Sequence, residues 1–343
     1  MKLAVIGAGY WGPNLVRVFV QHPDVRSVVV CDIDQSRLDR MLKLYPAVEV
    51  ASDFDRVLTD ETIDAVVIAV PAALHYDFAR RALLAGKDVL VEKPLASTVS
   101  EGEDLCRLAQ DGQRVLMVGH TFLFNAAVRK VKEYIDGGAL GDVYYVYAHR
   151  LNLGIVRKDV DALWNLAPHD VSILLHWLGN TLPEEVTCHG ASYLQNGVDD
   201  VSFLILRFPS GVLGHIHVSW LDPSKVRRMT VVGSQKMVVY DDASAEARVR
   251  LYDKGIDRQQ IDSHLGRFED FAEFQLLHRA GDLLIPRVDF TEPLKEEAEH
   301  FVRCIKDRAT PVADGSNGVR ILRVLEAADQ SRQDLGRPVR IAG

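Results

Sequence analysis

Residues 2–32 read KLAVIGAGYWGPNLVRVFVQHPDVRSVVVCD. Leu3 to Ile6 is a short apolar run of the kind a buried parallel strand needs on both faces. Gly7-Ala8-Gly9-Tyr10-Trp11-Gly12 follows, a G-x-G-x-x-G turn. An amphipathic helix is predicted from about Pro13 to Gln21, with Leu15, Val16, Val18 and Phe19 on its apolar side. Val28 to Val30 forms a second strand that ends at Asp32. Each glycine has its own task. Gly7 permits the tight turn, Gly9 lets the main chain approach a pyrophosphate, and Gly12 lets helix and strand pack closely. The helix N-terminus offers N–H groups and a positive dipole end to phosphate. Asp32, about 20 residues beyond the last glycine, is placed to accept bonds from ribose hydroxyls. An acid there repels a 2′-phosphate, so NAD is favoured over NADP, although Arg37 is near enough to relax that preference.

The 343 residues suggest two domains with ample core. The composition, 48% hydrophobic and 26% charged, is that of an ordinary globular chain. A net charge of −8 with no basic tail argues against nucleic acid as a partner. No apolar run is long enough to cross a bilayer and no signal peptide is read at the N-terminus. Cys31, Cys106, Cys188 and Cys304 are scattered without metal-ligand spacing. They are read as reduced structural thiols, in keeping with a cytoplasmic protein, and no metal is expected.

Strands and helices keep alternating after Asp32. Helix 36–45, strand 48–51, a helix near Asp53 with Ser52 as its candidate cap, strand 64–70 ended by Pro71, helix 75–85 stopped by Gly86, strand 88–91, helix 99–110 and strand 115–119 are predicted. This is an α/β chain with a doubly wound parallel sheet, which binds ligands outside the carboxyl ends of its strands. Gly7, Asp32, Pro71, Lys93 and His120 all fall at such ends, and Ile33, Val70 and Glu92 adjoin them. The pattern changes near residue 120, taken as the boundary between a dinucleotide-binding domain (1–120) and a second domain (121–343). There a helix from about 126 to 135 precedes strands at 143–150, 185–193, 201–208, 212–220, 226–232 and 237–240. The expected result is a large, mostly antiparallel sheet, interrupted by a helix around 170–178. Hairpin turns are expected at 209–211 and 233–235, and late helices at about 293–306 and 318–335.

The glycine turn, Glu92-Lys93-Pro94 after a strand, Trp164-Asn165-Leu166-Ala167-Pro168-His169, and the tail Pro311-Val312-Ala313-Asp314-Gly315 through Leu325-Glu326-Ala327-Ala328 together resemble the Gfo/Idh/MocA family of NAD(P)-dependent sugar oxidoreductases. The resemblance implies a Rossmann domain and an α/β domain whose open sheet commonly makes homodimers or homotetramers. It also implies hydride transfer between a sugar carbon and nicotinamide C4. Gly-Tyr-Trp-Gly-Pro-Asn in the turn, Leu153-Gly154 with Arg157, and Gly281-Asp282 with Glu292-Pro293-Leu294 look most like members acting on nucleotide-linked sugars. Some of those oxidise the C3 hydroxyl, and others reduce 3-keto sugars.

Alcohol oxidation needs a hydride acceptor and a group to take the hydroxyl proton. Lys93 is the first candidate, projected by a strand end and a proline, with its pKa open to depression beside a cationic nicotinamide. The resemblance makes His169 the second, an acid or base at the start of its helix. Asn165 stands where many relatives carry Asp. It can bond a hydroxyl but cannot take a proton or balance an imidazolium, a charge that Asp170 or Asp161 would then supply. His75 either lines the cofactor wall or is structural. His120 either touches sugar or nicotinamide or is satisfied internally. Arg157 and Lys158 either meet a diphosphate or carboxylate or form a solvated basic loop. Tyr10 and Trp11 either cover the cofactor or pack between domains. His189, His215 and His217 are read as structural. Three functions are in view: a nucleotide-sugar dehydrogenase, a free-sugar or inositol dehydrogenase or NADPH-dependent 3-ketosugar reductase, and a non-catalytic dinucleotide-sensing regulator.

Overall fold

A computed structural model describes residues 1–154, 157, 158, 160–256 and 278–341. The chain divides into two compact units, residues 1–125 with 291–326, and residues 126–290 with 327–343. The change of period near residue 120 thus lies at the first crossing, but residues 291–326, drawn with the second domain from sequence, return to the first unit.

The first unit carries six parallel strands: β1 (Lys2–Ile6), β2 (Ser27–Cys31), β3 (Glu49–Ala51), β4 (Ala65–Ile68), β5 (Asp88–Glu92) and β6 (Leu116–Gly119). Their spatial order is β3-β2-β1-β4-β5-β6. The order reverses between β1 and β4, the switch point at which such sheets leave a crevice for a ligand. The helices are α1 (Gly12–Val20), α2 (Gln35–Leu44), α3 (Phe54–Thr59), α4 (His75–Leu84) and α5 (Val99–Asp111). Strands β1, β2, β4 and β5 are largely apolar because both faces are covered, and Leu3, Val5, Val28, Val30, Val67 and Leu90 are all buried in one core with Leu15, Phe19 and Phe301. Asp53, not Ser52, caps α3, accepting a bond from the Asp55 N–H at 2.9 Å.

The second unit begins with α6 (Ala126–Asp136) and β7 (Val143–Leu151), then α7 (Ala162–Trp177). Strands β8 (Glu185–Ala191), β9 (Val201–Arg207), β10 (Leu213–Ser219), β11 (Val226–Gly233), β12 (Met237–Asp241), β13 (Val249–Ile256) and β14 (His278–Leu284) follow. Helix α8 (Pro293–Asp307) belongs to the first unit, α9 (Gly315–Gln333) passes from the first to the second, and β15 (Val339–Arg340) closes the sheet. The nine strands run β14-β13-β12-β11-β7-β10-β9-β8-β15, antiparallel except for the parallel β7/β10 pair. Alternation sorts their side chains. Val146 and Ala148, Leu204 and Leu206, and Ile216 and Val218 are buried. Tyr145, Tyr147, His149, Phe203, Ile205, Leu213, His215 and His217 take the other face, where Tyr145 stacks on Tyr147 and Phe203 on His217. Strands β13 to β15 lie beyond those expected from sequence.

Helix α7 begins two turns earlier than the sequence suggested. Pro168 argues against a helix running through it, since proline removes one i→i−4 bond. Asp161 caps the start, accepting the Trp164 N–H at 2.9 Å, and burial of Leu163, Ala167, Val171 and Leu174 offsets the rest of the loss. No helix among the described residues is long and apolar enough to cross a membrane.

Candidate active site

The β1–α1 turn is built by close contact. Gly7 has φ +94°, and a Cβ there would stand 2.6 Å from the Ala69 carbonyl oxygen, across the switch point. A Cβ on Gly12 would fall 1.9 Å from the Gly7 oxygen. These two glycines are required by the protein itself. Gly9 is different. A Cβ built on it meets nothing nearer than the Arg37 Nη1 at 3.9 Å, and its φ lies outside the left-handed region. No packing in the turn demands glycine there, whereas a pyrophosphate approaching the main chain does. Trp11 caps α1 without a side-chain bond, Pro13 has no N–H and the Asn14 N–H bonds the Trp11 carbonyl at 2.9 Å, so the Gly12 end of the turn is what α1 presents to a ligand. The turn fits a dinucleotide.

Asp32 is 7% exposed. Its Oδ2 accepts the Ala8 N–H at 2.7 Å and its Oδ1 the Asp34 N–H at 2.9 Å, so it ties the second strand end to the glycine turn. Arg37 reaches Asp32 at 3.3 Å and Asp34 at 3.4 Å. Arg40 lies over the Ala8 and Gly9 carbonyls at 3.4 and 3.5 Å. Sequence reasoning missed Arg40, though its spacing from Arg37 puts both on one helix face. Tyr10 and Ile33 are almost fully exposed on the rim, and Trp11 is over a third exposed.

At the β5 end, Glu92 accepts the Trp11 indole N–H at 2.5 Å and the Lys93 main-chain N–H at 3.3 Å. Burial pushes the Glu92 carboxyl up to about 7, with the Lys93 charge pulling the other way. Lys93 itself is half-buried. His75 is 1% exposed, its Nδ1 2.6 Å from the Pro94 oxygen and its Nε2 3.0 Å from the Val70 oxygen. Its two ring nitrogens brace the β4 end against the Lys93-Pro94 turn. Burial lowers its pKa, while the two carbonyl oxygens oppose that shift. His120 is also 1% exposed, held down to about 3 by burial and then by the Lys93 charge. It is a buried neutral imidazole.

In the second unit, Asn165 and His169 lie four residues apart on one face of α7, both half-buried. The two acids expected to balance a charged His169 are committed elsewhere. Asp170 forms a two-point pair with Arg150 at 2.8 and 2.9 Å, both buried. Asp161, besides capping α7, pairs with Arg332 at 3.2 Å. Arg157 and Lys158 are exposed, and the Arg157 carbonyl accepts from the Gln195 side chain at 2.8 Å. Residues 155, 156 and 159 of that loop lie outside the described residues. Among the described residues, no group of three His, Cys, Asp or Glu side chains is placed to hold a metal ion. The cysteines are unpaired, and burial raises every one of their pKa values.

Residues 1–120 match the family model described as "Oxidoreductase family, NAD-binding Rossmann fold", and residues 128–239 match the "GFO/IDH/MocA C-terminal domain". A 2,7-anhydro-N-acetylneuraminate hydratase from Mediterraneibacter gnavus is 26% identical over 60% of this chain and 58% of its own length. The chain thus spans about three fifths of that relative. The scyllo-inositol 2-dehydrogenase (NADP(+)) IolW of Bacillus subtilis is 24% identical over 97% of this chain and 94% of the relative. Among solved structures, GenD2 from gentamicin A biosynthesis in complex with NAD has a TM-score of 0.82 at 23% identity, covering 100% of this chain and 97% of that one, a likeness of fold. With both halves matched in order by its models, and a glycine turn built to fit a dinucleotide, the chain belongs to the Gfo/Idh/MocA family of oxidoreductases and carries that family's NAD-binding Rossmann fold.

Proposed function

We propose that this protein is an NAD-dependent sugar dehydrogenase that transfers hydride between a ring hydroxyl carbon, C3, of a nucleotide-linked sugar and nicotinamide C4. The observation that carries the reading is the open space over Gly9 in an otherwise crowded turn, together with Lys93 one residue beyond β5. Bound NAD supplies the hydride acceptor. The protein supplies the rest. Asp32 accepts from the ribose hydroxyls, and its charge favours NAD over NADP. Tyr10, Trp11, Ile33, Val70, Pro71 and Glu92 line the cofactor's place. Lys93 takes the proton of the reacting hydroxyl. His169 serves the same hydroxyl as a second acid or base, and Asn165 orients it through a hydrogen bond. Arg157 meets the diphosphate or carboxylate of the substrate.

The open face of the nine-stranded sheet supports assembly into a homodimer or homotetramer. It presents Tyr145, Phe203, Ile205 and Leu213 at 40 to 44% exposure in one neighbourhood, a contiguous apolar patch of the kind that marks an association surface. A second reading, oxidation of a free polyol, draws on the near full-length match to a scyllo-inositol dehydrogenase. The test is a panel of UDP-, dTDP- and GDP-sugars against inositols and free hexoses, with NAD⁺ or NADP⁺, read at the reduced-nicotinamide absorbance. Turnover confined to nucleotide sugars supports the first reading, turnover confined to inositols the second. Tight NAD binding with no turnover in either direction favours a dinucleotide-sensing regulator.

A further inference from the structure

Glu297 of α8 is 1% exposed and takes no part in the chemistry above. Its Oε2 accepts the Thr121 hydroxyl at 3.0 Å, and its Oε1 has no hydrogen-bond partner among the described residues. The Glu92 carboxyl fills the space over Gly119, 3.1 Å from where a Cβ would stand. The two acids therefore approach one short turn, Gly119-His120-Thr121, from β5 and from α8. His120, in the middle of that turn, is equally buried, and neither of its ring nitrogens has a partner among the described residues. With Glu297 withdrawn from water and the half-buried Glu92 at the same turn, both cannot ionise cheaply, so Glu297 retains its proton.

We propose that Glu297 is a positioning residue for the proton chemistry at Lys93, a neutral acid behind Glu92 that leaves the single negative charge of the pair on Glu92, next to Lys93. The inference rests on the reading of Lys93 as the proton acceptor. The environments of the two acids set the division of charge. Glu92 has the Trp11 indole, a main-chain N–H and the Lys93 ammonium to stabilise its ionised form. Glu297 has one hydroxyl, and both burial and the Glu92 charge drive its pKa well upward. Glu92 and Thr121 face it from β5 and the 121–124 turn. From α1, packed on the same helix, comes Arg17, which is held by Glu292 at the start of α8. A charged Glu92 stabilises the Lys93 ammonium, and a protonated Glu92 releases it. The pair thus sets the pH range over which Lys93 accepts a proton.

The test follows the glutamate side-chain carboxyls by ¹³C NMR across pH, on the protein without cofactor, with infrared detection of un-ionised carboxyl. In the wild-type protein, above the pH range in which Glu92 ionises, one buried un-ionised carboxyl is expected to persist, and Glu297→Gln should remove it. Glu92→Gln takes away the like charge and should lower the Glu297 titration by about one pH unit or more. In turnover, Glu297→Gln puts a neutral amide in place of a neutral acid. The turnover readout is therefore Glu92→Gln, which takes the neighbouring charge from Lys93 and should displace the acid limb of the kcat/KM profile. A wild-type Glu297 that ionises in the ordinary carboxylate range, or one that does not respond to Glu92→Gln, overturns the proposal without any need for turnover. Carboxyls that titrate as expected in a protein inactive on every sugar would instead overturn the reading of Lys93, leaving the acid pair but not its role.

Discussion

Replacing Gly9 and Gly12 in turn by alanine separates what the fold needs from what the ligand needs. At Gly9 the added methyl has no neighbour nearer than 3.9 Å, and that neighbour is the end of a flexible arginine. The main-chain conformation is one that alanine adopts, so Gly9→Ala should hold or slightly raise stability, by up to about 1 kcal/mol through the unfolded chain. The same methyl stands in the space required by a pyrophosphate. Forcing it into a close contact costs about 1–3 kcal/mol, which weakens NAD binding roughly 5- to 150-fold. At Gly12 the methyl lies 1.9 Å from a carbonyl oxygen of the same turn, and main chain cannot step aside as a side chain can. Gly12→Ala should therefore lower stability, by roughly 3 kcal/mol or more, before any ligand is added. Thermal melts without cofactor, and fluorescence titrations with NADH, read the two effects separately. A Gly9→Ala protein that binds dinucleotide as well as the wild type, or melts as early as Gly12→Ala, would refute the assignment of the turn.

Asp170→Asn strands the buried Arg150 guanidinium and should cost about 3–5 kcal/mol by denaturant unfolding, while Arg150→Met with Asp170→Leu in the same chain recovers much of the loss. His120 carries a pH signature. Its folded pKa, about 3, lies below the ordinary 6.5, so between those values the unfolded chain binds the extra proton and stability falls as pH drops. His120→Phe should flatten that part of a stability-against-pH curve, and an unchanged slope would count against a buried neutral ring. Asn165→Asp introduces a carboxylate four residues from His169 on the same helix face. It should raise the His169 pKa by up to about one unit, seen by NMR of the imidazole protons and as a shift in the pH optimum.

The first unit was legible in sequence because its signals are local. Apolar runs bounded by Gly, Asp and Pro mark parallel strands one by one, and the observed strands depart from the expected ones by a residue or two at their ends. Helix α7 was misjudged at its start because Pro168 carries a strong local warning, while the compensating cap, Asp161, lies seven residues upstream. The return of α8 to the first unit depends on burial of Phe301 against Phe19, at 6.4 Å between rings, a pairing across 282 positions that no window reveals. Glu297 was missed for the same reason. On its helix it is one more glutamate in a charged run, and only the packing of α8 takes it out of water. The commitment of Asp170 to Arg150 was hidden likewise, since the arginine comes from β7.

Direct hydride transfer assisted by Lys93 is the central claim, and isotope transfer tests it most directly. A nucleotide sugar deuterated at the reacting ring carbon is incubated with NAD⁺ and the protein, and the reduced nicotinamide is analysed by mass spectrometry. The account predicts that the label arrives on the nicotinamide ring without loss to water, and that Lys93→Ala, still binding NAD, slows its arrival by roughly 100-fold or more. Label that washes into solvent while product forms, or full transfer in Lys93→Ala, would contradict it.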